Sequence, residues 1–185
     1  GMLQASFGGF DLGLPENAFF SCCFNNGYKI LPSTFDGWMR ILKAVKESVL
    51  FLYAENQWAE ENLIKEAEAR GIASLRLIFG KHLPAEEYLA RYRICDLFLD
   101  TAPYNAGTTG SDALRAGLHL LTLMGDSFAG CVAASLLTAI DLPELITTTQ
   151  ADYEARAIGF AKDPQKMRAI GRKLADNFSS TPLFD

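Results

Sequence analysis

Thr108, Thr109 and Asp112 are the residues whose types and spacing point most directly to chemistry. They follow an apolar run, Leu97-Phe98-Leu99, then Asp100 and a Pro/Gly-containing loop from Thr101 to Gly107. Gly117 and a second apolar run, His119 to Leu123, come after them. A strand, a small-residue loop and a Thr-opened helix leave the first N–H groups of the helix without intrahelical partners, and the helix dipole adds positive character there. That combination binds anions such as a diphosphate. The same residues have a plainer reading, because Thr109-x-x-Asp112 fits a capping box with Asp in place of Glu, and most such boxes only cap. Spacing leaves both readings open.

The elements that must position such a site alternate along the chain. Ala18–Phe24 is a continuous apolar run bounded by turn residues, the pattern of a strand buried on both faces. The loop Asn25–Lys29 leads to a helix opened by Pro32-Ser33-Thr34, with Phe35, Trp38, Met39, Ile41, Leu42 and Val45 at helical spacing. Ser48–Tyr53 reads as the second strand. Glu55–Arg70 reads as an amphipathic helix with Trp58, Leu63, Ile64 and Ala67 inward and a solvated run of Glu outward, stopped by Gly71. Leu75–Phe79, Leu97–Leu99, His119–Leu123 and Leu145-Ile146 supply further strands; Pro84–Ile94, Ser127–Thr138, Gln150–Lys162 and Pro164–Asn177 supply further helices.

This alternation predicts an α/β fold, a Rossmann-like doubly wound parallel sheet with helices on both faces. Ligands of such sheets sit beyond the carboxyl ends of the strands. Three loops meet at that edge: Asn25–Lys29, Gly80–Tyr88 and Tyr104–Asp112. One Lys, several amides and hydroxyls, and an aromatic suit an anionic, partly flat ligand. Residues 1–16 read as a lead-in, with Gly1-Met2 as an expression scar, and residues 17–185 as one lobe.

Composition narrows the classes. With 185 residues, 49% of them hydrophobic, the chain has material for one sizeable core. A net charge of −5 argues against a general nucleic-acid or anionic-membrane surface. The four cysteines (Cys22, Cys23, Cys95, Cys131) form no C-x-x-C pair and only two histidines are present, which disfavours a zinc site and favours reduced thiols in a cytoplasmic protein. Cys22 and Cys23, adjacent in a strand, should face opposite sides of it. No apolar run reaches membrane-spanning length and the start is unlike a signal peptide.

A wider pattern then emerges. FNNGYKILPSTFDGWMRILKAVKESVLFL, LPAEEYLARYRICDLFLDTAPYNAGTTGSDALRAG, VAASLLTAIDLPELI and SSTPLF, in that order and spacing, resemble the carboxyl-terminal catalytic half of the O-GlcNAc transferase (SPINDLY-like) glycosyltransferase family, over about Asn17 to Asp185. The resemblance implies the carboxyl-terminal lobe of a two-lobed GT-B fold. It implies a UDP-sugar donor, no metal or other cofactor, and inverting transfer, of GlcNAc above all, to a Ser or Thr hydroxyl of a protein or peptide acceptor. By position, Lys29 is the implied catalytic cation that stabilises the leaving diphosphate. Asn26 stands near the phosphates where the family often has Gln, and Thr108 and Thr109 match the diphosphate donors. Asp112 matches the ribose carboxylate, Leu83 the residue whose backbone meets uracil, and Tyr88 and Arg91 the residues flanking the base. Read alone, Lys29 is a solvated loop residue and Tyr88 a core aromatic.

Several positions depart from the family's pattern. Gly107 replaces a His found in some members, though a glycine there fits a tight amide nest. Ala85 replaces a Lys, Arg115 an aromatic that is often Trp, and Gly130-Cys131 a Ser-Arg pair. The implied amino-terminal lobe and its tetratricopeptide repeats have no counterpart within the 185 residues. Since catalysis in this fold needs both lobes, the expectation is a chain that binds donor without turnover. An apolar patch where the other lobe belongs would favour a homodimer. Two other readings stand beside this one. The first is a non-catalytic nucleotide- or protein-binding module that kept the fold, and the second a transferase using UDP-glucose or another sugar with a small-molecule acceptor.

Overall fold

The computed structural model describes residues 18–25, 30–80, 85–102, 105, 108–124 and 131–180, with the backbone alone at 85–89 and 108. Six strands, β1 (Phe19–Cys23), β2 (Ser48–Tyr53), β3 (Leu77–Gly80), β4 (Leu97–Leu99), β5 (His119–Leu123) and β6 (Ile146–Thr147), pair in parallel in the order β3-β2-β1-β4-β5-β6. The helices between and after them are α1 (Pro32–Ala44), α2 (Gln57–Ala69), α3 (Ala85–Ile94), α4 (Thr108–Arg115), α5 (Val132–Ala139), α6 (Gln150–Lys162) and α7 (Pro164–Ser180). This is the expected doubly wound sheet, and its strand order reverses between β1 and β4.

Both faces of the centre are covered, which is why β1 reads as an unbroken apolar run rather than an alternating one. On one face Phe24 meets Phe51 and Tyr92 edge-on, with ring centroids 5.1 and 5.4 Å away, and α3 supplies the Tyr. Cys22 lies on this side beside Cys95, and burial pushes its thiol well above the usual range. On the other face α1 packs against α6. The buried Trp38 indole N–H donates to the Tyr153 hydroxyl at 3.0 Å, so the largest core side chain has its one polar group satisfied. Cys23 lies toward Tyr153, opposite Cys22, as strand alternation requires. The ends of the Gln150 and Glu154 side chains on α6 lie over Gly37, in the space that a Cβ there would enter. Arg40 then closes the pair with a two-pronged contact to Glu154 at 2.6 and 2.9 Å.

Two expectations fail at the outer side of the sheet. Trp58 is 82% exposed rather than inward. Helix α2 starts one residue after Asn56, whose side chain accepts from the Ala59 N–H at 2.9 Å. Only Ala67 along α2 is fully buried, so its first turn stays in solvent with Trp58 on it. Leu75 is the second failure. Ser74–Arg76 form one turn of 3₁₀ helix, leave Leu75 78% exposed, and delay β3 to Leu77. The inward group there is Arg76, whose guanidinium donates to the carbonyls of Leu42, Val45 and Ser48. The expected lead-in and the expected start of a helix at Ser127 lie outside the described residues.

Candidate active site

At the strand-order reversal, β1 and β4 run side by side with Cys22 in register with Phe98, so the chain leaves both strands at the same level. The connection from β1 leads away toward β2 and the one from β4 toward β5, opening a crevice between them. No ladder hydrogen bond can join two diverging loops. Side chains do it instead.

Asn25, Asp100, Thr101, Asn105 and Thr122 are all buried polar residues at this point. Buried polar groups need partners, and these supply one another. Asp100 Oδ1 accepts from its neighbour's N–H, that of Thr101, at 2.8 Å, and Oδ2 accepts from the Thr122 hydroxyl on β5 at 2.8 Å. Asn25 Nδ2 donates to Thr101 Oγ1 at 2.6 Å and points at Asp100 Oδ1 at 3.4 Å. Facing those acceptors, the amide must present its NH2, which leaves its Oδ1 to accept from the Thr109 hydroxyl at 2.8 Å. Asn105 Nδ2 donates to the Thr101 carbonyl at 2.8 Å. The Tyr153 hydroxyl donates to the Asp100 carbonyl at 2.9 Å, and Thr34 at the start of α1 donates to the Ala102 carbonyl at 3.2 Å. Strands β1, β4 and β5 and helices α1, α4 and α6 are thus tied at one place.

The structure brings Thr109 and Asp112 together on α4, three residues apart and therefore on one face, with Thr108 starting the helix. The capping-box reading does not hold. Because α4 already begins at Thr108, Thr109 is inside the helix and its hydroxyl crosses to Asn25 instead of capping. As in any α-helix, the first-turn N–H groups of α4 have no intrahelical acceptor, which is the general reason that helix starts favour anions. Arg91 is placed elsewhere on the same edge. Its guanidinium lies 5.3 Å from the centroid of the Phe51 ring and against Gly80, where a Cβ would stand 2.2 Å from Nη1. It therefore belongs to the β2–β3 side, whereas Thr109 belongs to the β1–β4 side.

Asn26, Lys29, Leu83 and Gly107 lie outside the described residues, and for Tyr88 and Thr108 only the backbone is described. Of the departing positions, Arg115 is exposed at the end of α4. Cys131 lines an open cleft of about 450 Å3 with Met124, Ala134, Ser135 and Thr138. Sequence reasoning missed Asn25, Asp100, Thr101 and Tyr153 as site-building residues. The available signal was an Asp-Thr pair directly after an apolar strand, at a level where the sheet is fully buried. Among the described residues no group of three or more His, Cys, Asp or Glu side chains is arranged to hold a metal ion, and no helix is long and apolar enough to cross a membrane.

Comparison with known proteins agrees with this geometry. The model of glycosyl transferase family 41 matches residues 9–185. Over 172 residues, 93% of this chain, the sequence is 36% identical to a UDP-N-acetylglucosamine–peptide N-acetylglucosaminyltransferase of Caenorhabditis elegans, and it spans 15% of that protein's length. A solved O-GlcNAc transferase mutant of Thermobaculum terrenum superposes with a TM-score of 0.85 at 32% identity, over 91% of this chain and 34% of that one. In fold alone, the carboxyl-terminal domain of a group 1 glycosyl transferase from Francisella tularensis matches with a TM-score of 0.69 at 13% identity, covering 96% of this chain and 91% of that domain. The fold is that of a single lobe of a GT-B glycosyltransferase. Because the family match takes in every strand of the sheet and both loops of the crevice, the chain belongs to glycosyl transferase family 41.

Proposed function

We propose that the chain is the UDP-sugar-binding lobe of a protein O-glycosyltransferase, one that moves GlcNAc from UDP-GlcNAc to a Ser or Thr hydroxyl. The observation that carries the reading is the start of α4, joined through Thr109 to the exit of β1 at the crevice of a family 41 chain. In this reading the diphosphate takes the N–H groups at Gly107, Thr108 and Thr109, where donors and dipole both favour it. Asp112, one turn on, accepts from the ribose hydroxyls. Lys29 and Asn26, on the loop after β1, stand at the diphosphate, and the cation offsets charge that develops as the glycosidic bond breaks. The backbone at Leu83 and the side chains of Tyr88 and Arg91 take the uracil end.

The acceptor hydroxyl attacks the anomeric carbon from the face opposite UDP, so its binding surface comes from chain beyond these residues. The amino-terminal lobe and tetratricopeptide repeats are the proposed partners. A cytoplasmic site is supported by the free Cys22, Cys23, Cys95 and Cys131.

Calorimetric titration with UDP tests the reading. The unmutated chain should bind, and Lys29→Ala and Thr109→Ala should each weaken binding by about tenfold or more, as expected for loss of a charge-assisted contact. A folded, unmutated chain that ignores UDP would move the assignment to a non-catalytic module, the reading that the departures at Gly107, Arg115, Gly130 and Cys131 favour.

A further inference from the structure

We infer that Asn25 is a positioning residue, whose amide fastens the exit of β1 to the first turn of α4 and so holds the two loops of the crevice in one register. The inference rests on the donor-binding reading above. Asn25 is only 2% exposed, so its role is not contact with a ligand. Both ends of its amide are committed across the crevice: Nδ2 to Thr101 Oγ1 and toward Asp100 on the β4 side, Oδ1 to the Thr109 hydroxyl on α4. The carboxylate that it points at is itself hydrogen-bonded on other sides. Asp100 is held by the Thr101 N–H and by Thr122 on β5, and its carbonyl by Tyr153 on α6. An amide makes both contacts while turning its NH2, and not a second carboxylate, toward Asp100. Lys29 follows Asn25 by four positions in the sequence. Loss of the amide should therefore cost UDP affinity although no ligand contact is removed.

Titration of the full 185-residue chain with UDP tests this in two ways. Asn25→Asp keeps the acceptor for Thr109 but brings a second carboxyl to where the amide lies 3.4 Å from Asp100 Oδ1. Among the described residues the titratable groups on the elements packed there are Asp100, Tyr153 through the carbonyl of Asp100, Cys23 on β1 and Asp112 on the Thr109 face of α4. Two carboxyls this close share a proton as pH falls, and that proton restores a donor between them. The variant's Kd relative to the unmutated chain should be raised about tenfold or more near pH 8 and fall to within about threefold near pH 5. Thr101→Val removes the closest acceptor of Asn25 with little change of shape, and Thr101→Ser restores it. Valine should weaken UDP binding by about tenfold and serine should return it to within about threefold.

Unmutated affinity in Asn25→Asp near pH 8 overturns the inference, as does a Thr101→Val defect that serine does not repair. If Asn25→Asp does not fold, the Thr101 pair decides by itself. Absence of UDP binding by the folded, unmutated chain removes the donor-binding reading and this inference together, an outcome distinct from the other two.

Discussion

The phenol of Tyr153 sits between an indole N–H and a main-chain carbonyl, accepting from the first and donating to the second. Burial pushes its pKa well above the usual 10, so it remains a proton donor at any physiological pH. Tyr153→Phe keeps the ring but strands the Trp38 N–H in the core and removes the Tyr153 contact to the Asp100 carbonyl. An unmet indole donor and a lost buried hydrogen bond should lower stability by about 1–3 kcal/mol in a urea unfolding series. A loss within error of zero would mean that water takes the place of the hydroxyl. This residue also marks the limit of what sequence could tell about the site. That Thr109 and Asp112 share one helix was legible because their spacing is local and helical. Asn25 and Asp100 lie 75 positions apart, and Asp100 and Tyr153 53 apart, so no periodicity links them. The buried network appears only once strand order is known.

Among the elements, those bounded by turn residues were readable to the residue. Ser48–Tyr53, Leu97–Leu99, His119–Leu123 and Gln150–Lys162 form over the expected spans. Errors arose where an amphipathic pattern was extended past the sheet's cover, at Trp58, or where a polar side chain turned inward, at Arg76. The Arg76 fork joins the last turn of α1 to the start of β2 through Val45 and Ser48 carbonyls at 2.7 and 3.1 Å. Arg76→Lys keeps the charge and loses the fork, and should cost about 1–3 kcal/mol by urea midpoint. A pH effect belongs to the docking of α7 on β5. His119 Nε2–H donates to the Met167 carbonyl at 3.0 Å, while burial lowers the imidazole pKa below 6.5. The unfolded chain therefore takes up a proton before the folded one does. The stability that the neutral ring contributes is present above about pH 6.5 and is lost as pH falls below it. His119→Gln, which retains an N–H donor, should flatten the decline in urea midpoint between about pH 7.5 and pH 5.5.

For the whole molecule, the governing fact is that a family 41 chain of 185 residues spans 15% of its worm relative. Donor and acceptor must be held in line for transfer, and in the proposed reading this lobe carries the donor half of that geometry. The chain alone should bind UDP yet transfer no labelled GlcNAc to a Ser/Thr peptide; transfer by the isolated chain would show that one lobe is enough. The chain's two tryptophans have opposite surroundings. Trp38 is sealed in the core behind the crevice, whereas Trp58 stands 82% exposed on the first turn of α2, just past the carboxyl end of β2. The molecule thus carries two optical reporters that respond to different events. A blue-shifted emission that resists acrylamide will follow the integrity of the core. A red-shifted, easily quenched one will follow whatever comes to lie over the outer strands, and Trp58→Phe separates the two.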